Sequence, residues 1–407
     1  MKKLSVFYEG WGEHWLLGTL ADNGSELLFE YSPEALAQGL ELSPRHLRLR
    51  AAAYGGFPDY LLRLPGLIAD ALPDGWGLLL MDRLFRKSGR PAASISPLDR
   101  LAFIHDRAMG ALSFEPAQSE MLVAEDVDLL TLAGEARVIV ADKDTVALRQ
   151  LALLGGSPHG ARPKVLVHYN RSSEVMSTTT SGDSEPWLVK FQAQGEHKEV
   201  CAIEAWYAEL ARAAGLAVPE TKYFDLSKTL AGFGIARFDV EAAMRVPTHT
   251  LAGLLHLDFR QPSCDYTSFL RATRLLSKDE REVEKAFERA VFNVLFHNRD
   301  DHSKNFSYRL GRDRQWRLAP AYDLTYNTGP GGEHQMDVCG EGRAVKRADL
   351  IRLAGEGELD AVWAGRCVDR LRDIASTAAN SALQFPIRAI TRNAILKDIA
   401  HCSRLLK

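Results

Sequence analysis

The sequence predicts an α+β fold in two lobes, β-rich in the amino-terminal part and mostly helical in the carboxy-terminal part. Three observations carry this reading. Short apolar runs with strand-like alternation recur up to about residue 240, and from about residue 246 the apolar residues recur at helical spacing instead. At 407 residues the chain also exceeds ordinary single-domain size.

Leu4, Val6 and Tyr8 alternate with Ser5 and Phe7, and the runs 15–20 and 27–31 follow at strand length, which gives a small opening β module. Ser32-Pro33 is a capped start for a short helix. The turn Pro73-Asp74-Gly75 precedes a buried helix near 75–88, with Asp74 expected as its cap, and residues 97–116 read as a helix ending at Gly110 and running into a strand. Residues 124–154 are helical by period. They lead into the Gly-rich segment 155–164, GGSPHGARPK, and the strand VLVHY. Such a segment lets backbone amides approach a phosphate, and it reads equally as a plain tight turn, since it fits neither the Walker consensus nor G-x-G-x-x-G.

Residues 170–186 are polar and periodless, an exposed hairpin tip. Beyond them WLVKF is an alternating strand carrying Lys190, followed by the helix of Glu204, a strand near 221–226 and the segment 233–240. From 246 onward the helical runs are TSFLRATRLL, KDEREVEKAFERAVFNVLF, ADLIRLAGEG and a final pair over 357–383 and 386–405. The expected division is residues 1–120 as an added amino-terminal β-rich subdomain, 121–245 as a lobe with the Gly-rich loop and the strand lysine, and 246–407 as a helical lobe.

The five cysteines are scattered, with no C-x-x-C pair, which argues against a zinc knuckle or redox disulfide. A net charge of −3, from 50 basic and 53 acidic side chains, gives no global attraction to nucleic acid or an anionic membrane. No apolar run is long enough to span a bilayer, and the first residues lack a signal-peptide core, so a cytoplasmic location without membrane association is expected.

Chemistry concentrates in the stretch 292–324, FNVLFHNRDDHSKNFSYRLGRDRQWRLAPAYDL. Asp300 and Asn305 stand five residues apart, the separation of base and metal-binding amide in the kinase loop H-R-D-x-x-x-x-N. A carboxylate must reach the attacking hydroxyl while an amide oxygen one short turn later meets magnesium. Asp323, in Ala321-Tyr322-Asp323, follows in the order of a second metal carboxylate, and Lys190 before Glu204 repeats the kinase order of strand lysine and helix glutamate. A solvated, helix-capping turn and a snorkelling surface lysine are the bland readings of the same residues.

With GGSPHGARPK at 155–164, NRDDHSKN at 298–305 and PAYDLTYN at 320–327 in this order, and LPDGWG at 72–77 and ARFD at 236–239 as support, the sequence resembles the HipA family, serine/threonine kinase toxins of bacterial toxin–antitoxin modules. The resemblance spans nearly the whole chain and implies a bilobal, protein-kinase-like (HipA-like) fold. It implies Asp300 as catalytic base and Asn305 and Asp323 as magnesium ligands. An ATP site would be lined by His159, Gly160, Ala161, Arg162, Pro163, Lys164, Lys190, Ala236, Arg237, Phe238, His302, Ser303, Lys304, Asn305, Tyr322 and Asp323. Ser157 is similar in position to the family's autophosphorylated serine. Implied partners are a helix-turn-helix antitoxin, with DNA contacted mainly through it, and a protein substrate such as a translation factor or an aminoacyl-tRNA synthetase.

Two positions depart from the family pattern. His159 stands where the loop usually has glycine, and Ala236 where Glu usually precedes Arg-Phe-Asp, so a side-chain contact to adenine from that position is lost. Asp301 competes with Asp300 as the base; the spacing to Asn305 and the family motif favour Asp300. Two other functions fit the same loop: a metal-dependent phosphohydrolase or nuclease using Asp300, Asp301, His302 and Asp323 around two ions, and a degenerate kinase fold serving as a co-repressor.

Overall fold

In the computed structural model the described residues are 2–117, 129–140, 148–155, 159–180 and 182–407. They form two compact units. The first comprises residues 1–198, 222–249 and 310–314, and the second 199–221, 250–309 and 315–407. Ser157 lies outside the described residues.

The first unit opens with a five-stranded antiparallel sheet in the spatial order Ala53–Tyr54, Leu27–Tyr31, Trp15–Asp22, Lys3–Tyr8, Leu112–Glu115. Period-two alternation sends Leu4, Val6 and Tyr8 inward with Leu17, Leu20 and Phe29. Ser32 caps the short helix Pro33–Gln38 by accepting from the Ala35 amide at 2.9 Å, as the sequence suggests. The helix over 97–116 stops earlier than expected, at Ile104. His105 turns left-handed (φ 52°) and its Nδ1 bonds the Phe114 carbonyl at 2.8 Å, so the chain folds back six residues before Gly110. Gly110 instead donates its amide to Asp239 at 2.8 Å.

Ser43 Oγ and Asp70 Oδ2 flank the His249 ring at 3.0 and 2.6 Å. This arrangement has hydrolase-like connectivity, yet Ser43 is 1% exposed, so it ties three segments together and presents no nucleophile to solvent.

The second sheet of this unit runs in the order Val175–Ser177, Lys164–Asn170, Glu185–Phe191, Ala231–Ala236, Thr221–Asp225. Val165, Val167, Tyr169, Trp187, Val189 and Phe191 bury one face. The alternate positions Lys164, Leu166, His168, Leu188 and Lys190 share the other.

The second unit is mainly helical, with Glu199–Ala213, Tyr266–Ser277, Glu280–Leu295, Arg347–Glu356, Ala361–Ser381 and Ala389–Leu405. Asp265, Asp279 and Asp360 cap three of these helices through their side chains. Helix Glu280–Leu295 is the hub, burying Val283, Phe287, Val291, Phe292 and Leu295. Trp206 bonds Ser381 at 2.9 Å, and Tyr207 donates to the Phe296 carbonyl at 2.6 Å, which holds the end of the hub helix. The strands Ser307–Leu310 and Trp316–Leu318 pair beyond it. Among the described residues no helix is long and apolar enough to cross a membrane.

Candidate functional site

In the first unit Lys164 and Lys190 are direct cross-strand partners, and both are buried, at 2% and 6% exposure. Like charges opposite one another are unfavourable in a sheet, so two ammonium groups on one face create a field suited to a polyanion. Phe233 continues this row, with Lys190 Nζ 5.9 Å from its ring centroid. Two residues along, Leu166, Leu188 and Ile235 stand in register as an apolar row. A cationic row beside an apolar row is the pair of surfaces a nucleotide polyphosphate and base require. The apolar row carries no spacing signal in the sequence, because it draws one residue from each of three strands.

The loop leading into Lys164 is held by the LPDGWG segment. Asp74 occupies the N-cap position of the helix Gly75–Lys87 but makes no cap bond. Its carboxylate accepts from the Gly160 amide instead, which corrects the expected capping role. The Trp76 amide donates to the Gly160 carbonyl at 3.2 Å, its indole to the Lys164 carbonyl at 2.9 Å, and His159 Nε2 to the Leu72 carbonyl at 2.9 Å. Lys164 Nζ donates to the His159 carbonyl. Gly160 has φ +102°, a backbone conformation that L side chains rarely adopt, so glycine suits the turn.

Arg162 pairs with Glu196 at 2.9 Å, and Pro163 accepts the Phe191 amide at 2.9 Å. Arg237 binds Asp239 through Nε and Nη2 at 2.9 and 2.7 Å, and its amide bonds the Pro186 carbonyl. That guanidinium is therefore engaged within the unit. Ala236 closes the strand opposite Trp187, and Phe238 follows just beyond it.

In the second unit the two adjacent acids of the loop have different environments. Asp301 is 1% exposed and accepts from the Tyr266 hydroxyl at 2.7 Å, His334 Nδ1 at 2.7 Å and the Gln335 amide at 2.8 Å. Burial and the neighbouring carboxylate hold the Tyr266 hydroxyl well above the usual phenol range, so it remains a donor. Asn293 donates to the same hydroxyl at 3.0 Å and accepts from Asn298 at 2.9 Å. Asp301 is thus the anchor of the loop. Asp300 is half-buried, and Gln335 Nε2 donates to its Oδ1 at 3.0 Å.

Asn305 sits in the tight turn Ser303–Asn305 and donates Nδ2 to the Asp300 carbonyl at 2.7 Å. A carbonyl can only accept, so the amide nitrogen faces it and the amide oxygen points the other way. His302 leans on Phe259, with centroids 5.6 Å apart, and its buried Nδ1 has no hydrogen-bond partner among the described residues. Lys304 Nζ lies 4.4 Å from the same ring centroid.

The segment bearing Asp323 is fastened to this loop at both ends. At one end the Ala319 amide donates to the Ser307 carbonyl at 2.8 Å, and the Tyr322 hydroxyl to the Lys304 carbonyl at 2.6 Å. At the other, Asn327 exchanges bonds with the His297 carbonyl (3.1 Å) and the Arg299 amide (3.2 Å). Asp323 has φ 56°, a left-handed conformation that Asp tolerates better than most residues and that marks strained functional turns.

Asn305 and Asp323 carry oxygen donors of the kind magnesium takes, one amide and one carboxylate, and would be the residues to hold it. Among the described residues no three His, Cys, Asp or Glu side chains gather as a metal-binding group. Tyr266, His334 and Gln335 escape sequence reading; Gly329-Pro330-Gly331-Gly332 marks only the loop that carries two of them.

Comparison with known proteins agrees with this architecture. The HipA N-terminal domain family matches residues 7–115, and the HipA-like C-terminal domain family matches residues 156–383. A solved structure of the Shewanella oneidensis MR-1 toxin–antitoxin system HipA, HipB and its operator DNA complex superimposes with a TM-score of 0.70 at 16% identity, covering 98% of this chain and 97% of that one. The Helicobacter pylori proinflammatory kinase CtkA aligns over 56% of this chain and 86% of its own at 11% identity and a TM-score of 0.40. No curated protein matches in sequence. With the C-terminal family alone covering more than half of the 407 residues, and the N-terminal family preceding it in order, the chain belongs to the HipA family.

Proposed function

We propose that the chain is an ATP- and magnesium-dependent protein serine/threonine kinase acting as the toxin of a bacterial toxin–antitoxin pair. The observation that carries the reading is the loop 300–305: Asp301 is consumed as a buried anchor, Asp300 is left half-buried beside it, and the Asn305 amide is oriented by the Asp300 backbone. That division suits a base and a metal-binding amide five residues apart.

Asp300 accepts the proton of a serine or threonine hydroxyl as that oxygen bonds to the γ-phosphorus, while the bond to the β–γ bridging oxygen breaks and ADP departs. Asn305 and Asp323 would hold magnesium, which would supply neutralisation of charge on the phosphates. In the first unit Lys164 and Lys190 offer a cationic surface suited to a polyphosphate, and the Gly160 turn lets the backbone approach. Phosphorylation at Ser157 would add about two negative charges in the loop that leads to those lysines, opposing ATP there.

The Shewanella neighbour's complex with HipB and operator DNA supports a HipB-like helix-turn-helix antitoxin as partner. The test is transfer of label from γ-labelled ATP to Ser157 of the wild type, with Asp300→Asn as control. A hydrolase would release phosphate without labelling the chain.

A further inference from the structure

The segment 329–343 folds back onto the acidic loop. Arg299, the residue before Asp300, donates to the carbonyls of Gly332 and, at 2.7 Å, Arg343. Across the segment the His334 amide meets the Gly342 carbonyl at 2.8 Å, and Arg343 Nη2 the Gly331 carbonyl at 3.0 Å. The packing at its start is close: a Cβ on Gly329 would lie 1.9 Å from the Glu333 carbonyl oxygen. With its amide bound to Asp301 and its neighbour His334 bound to the same carboxylate, Gln335 has a fixed backbone from which its side chain reaches Asp300 Oδ1 at 3.0 Å.

We propose that Gln335 is a positioning residue for the Asp300 carboxylate, delivered by a segment that Arg299 fastens. The inference rests on the reading of Asp300 as the base. A carboxylate can rotate about two side-chain bonds, and a donor held on one oxygen selects one rotamer and one plane. A neutral amide does this without adding charge at the reacting centre. Arg299 is engaged by main-chain carbonyls of the segment, which ties the residue before Asp300 to the backbone that carries Gln335.

The test uses the full-length chain, with γ-labelled ATP and magnesium as probe and both the chain itself and casein as acceptors. Gln335→Met keeps the length of the side chain and removes the donor. It is expected to lower kcat about tenfold with KM for ATP within about twofold of wild type. In the Asp300→Asn background the same change is expected to slow residual transfer no further, since the group being positioned is gone. Thermal unfolding of each variant reports whether the fold survives.

A wild-type kcat in Gln335→Met, alongside a strongly slowed Asp300→Asn, overturns this proposal and leaves the kinase reading standing. Full additivity of the two substitutions also overturns it, because a merely structural role would act whatever stands at 300. Equal transfer by wild type and Asp300→Asn, or no transfer by either, removes the base itself, and the proposal falls with it.

Discussion

Lys164 and Lys190 face each other directly across two antiparallel strands, with their side chains on the same side of the sheet and both nearly shut off from bulk water. The row they form ends in Phe233, and the next row on that face is Leu166, Leu188 and Ile235. A sheet face so arranged gains most from a ligand that is anionic at one end and flat and apolar at the other.

Lys164→Met and Lys190→Met are therefore expected to abolish ATP-induced thermal stabilisation. For the wild type that stabilisation should reach about 2.7 kcal/mol at a hundredfold excess over Kd. Melting curves with and without magnesium-ATP check this; a full ATP shift in either variant would remove that lysine from the site.

Asp300 and Asp301 should separate cleanly. Asp300→Asn is expected to leave the unfolding midpoint unchanged and lower phosphate transfer by roughly 10²–10⁴-fold. Asp301→Asn leaves the Tyr266, His334 and Gln335 donors competing for a weaker acceptor and should cost about 2–3 kcal/mol of stability. Denaturant unfolding of both variants decides the point, and equal stability losses would contradict the assignment.

Asp74→Ala removes the acceptor that holds the Gly160 amide, so ATP affinity should fall about tenfold with kcat little changed. Gly160→Ala should be more severe, because the φ of +102° disfavours any side chain and the added Cβ would displace Lys164 Nζ. Calorimetric titration with ATP measures both, and an unaltered Kd in Asp74→Ala would mean that the LPDGWG contact does not shape the loop.

Much of this fold is legible in the sequence because periodicity survives in it. Tyr266–Ser277 and Glu280–Leu295 announce themselves by apolar spacing and by Asp265 and Asp279 at their starts. Asp300 and Asn305 are legible together because one loop holds both. What is not legible depends on residues distant in sequence. Asp74 reads locally as a helix cap, and only the folded chain brings the Gly160 amide, 86 positions away, onto its carboxylate. Tyr266 and His334 lie 35 and 33 positions from Asp301, and neither carries a motif. The early stop at Ile104 turns on His105 bonding Phe114, a contact that no helix propensity encodes.

Glu199 gives a pH signature. Burial works to raise its pKa, but bonds from the Arg388 guanidinium and amide and from the Thr391 hydroxyl outweigh it and hold the carboxyl below the usual range. A depressed pKa stabilises the fold above the unfolded value of about 4.3 and stops doing so as pH falls through the folded one. Glu199→Gln should thus cost about 2 kcal/mol at pH 7, with the difference from wild type closing below about pH 4. A pH-independent difference would assign the loss to packing instead.

The most direct measurement is the mapping of label from γ-labelled ATP on the full-length chain in the presence of magnesium. Phosphate is expected on Ser157 of the wild type, with labelling slowed by roughly 10²–10⁴-fold in Asp300→Asn, although that variant still binds ATP. Label of equal intensity in both, or free phosphate released with the chain unlabelled, would contradict it.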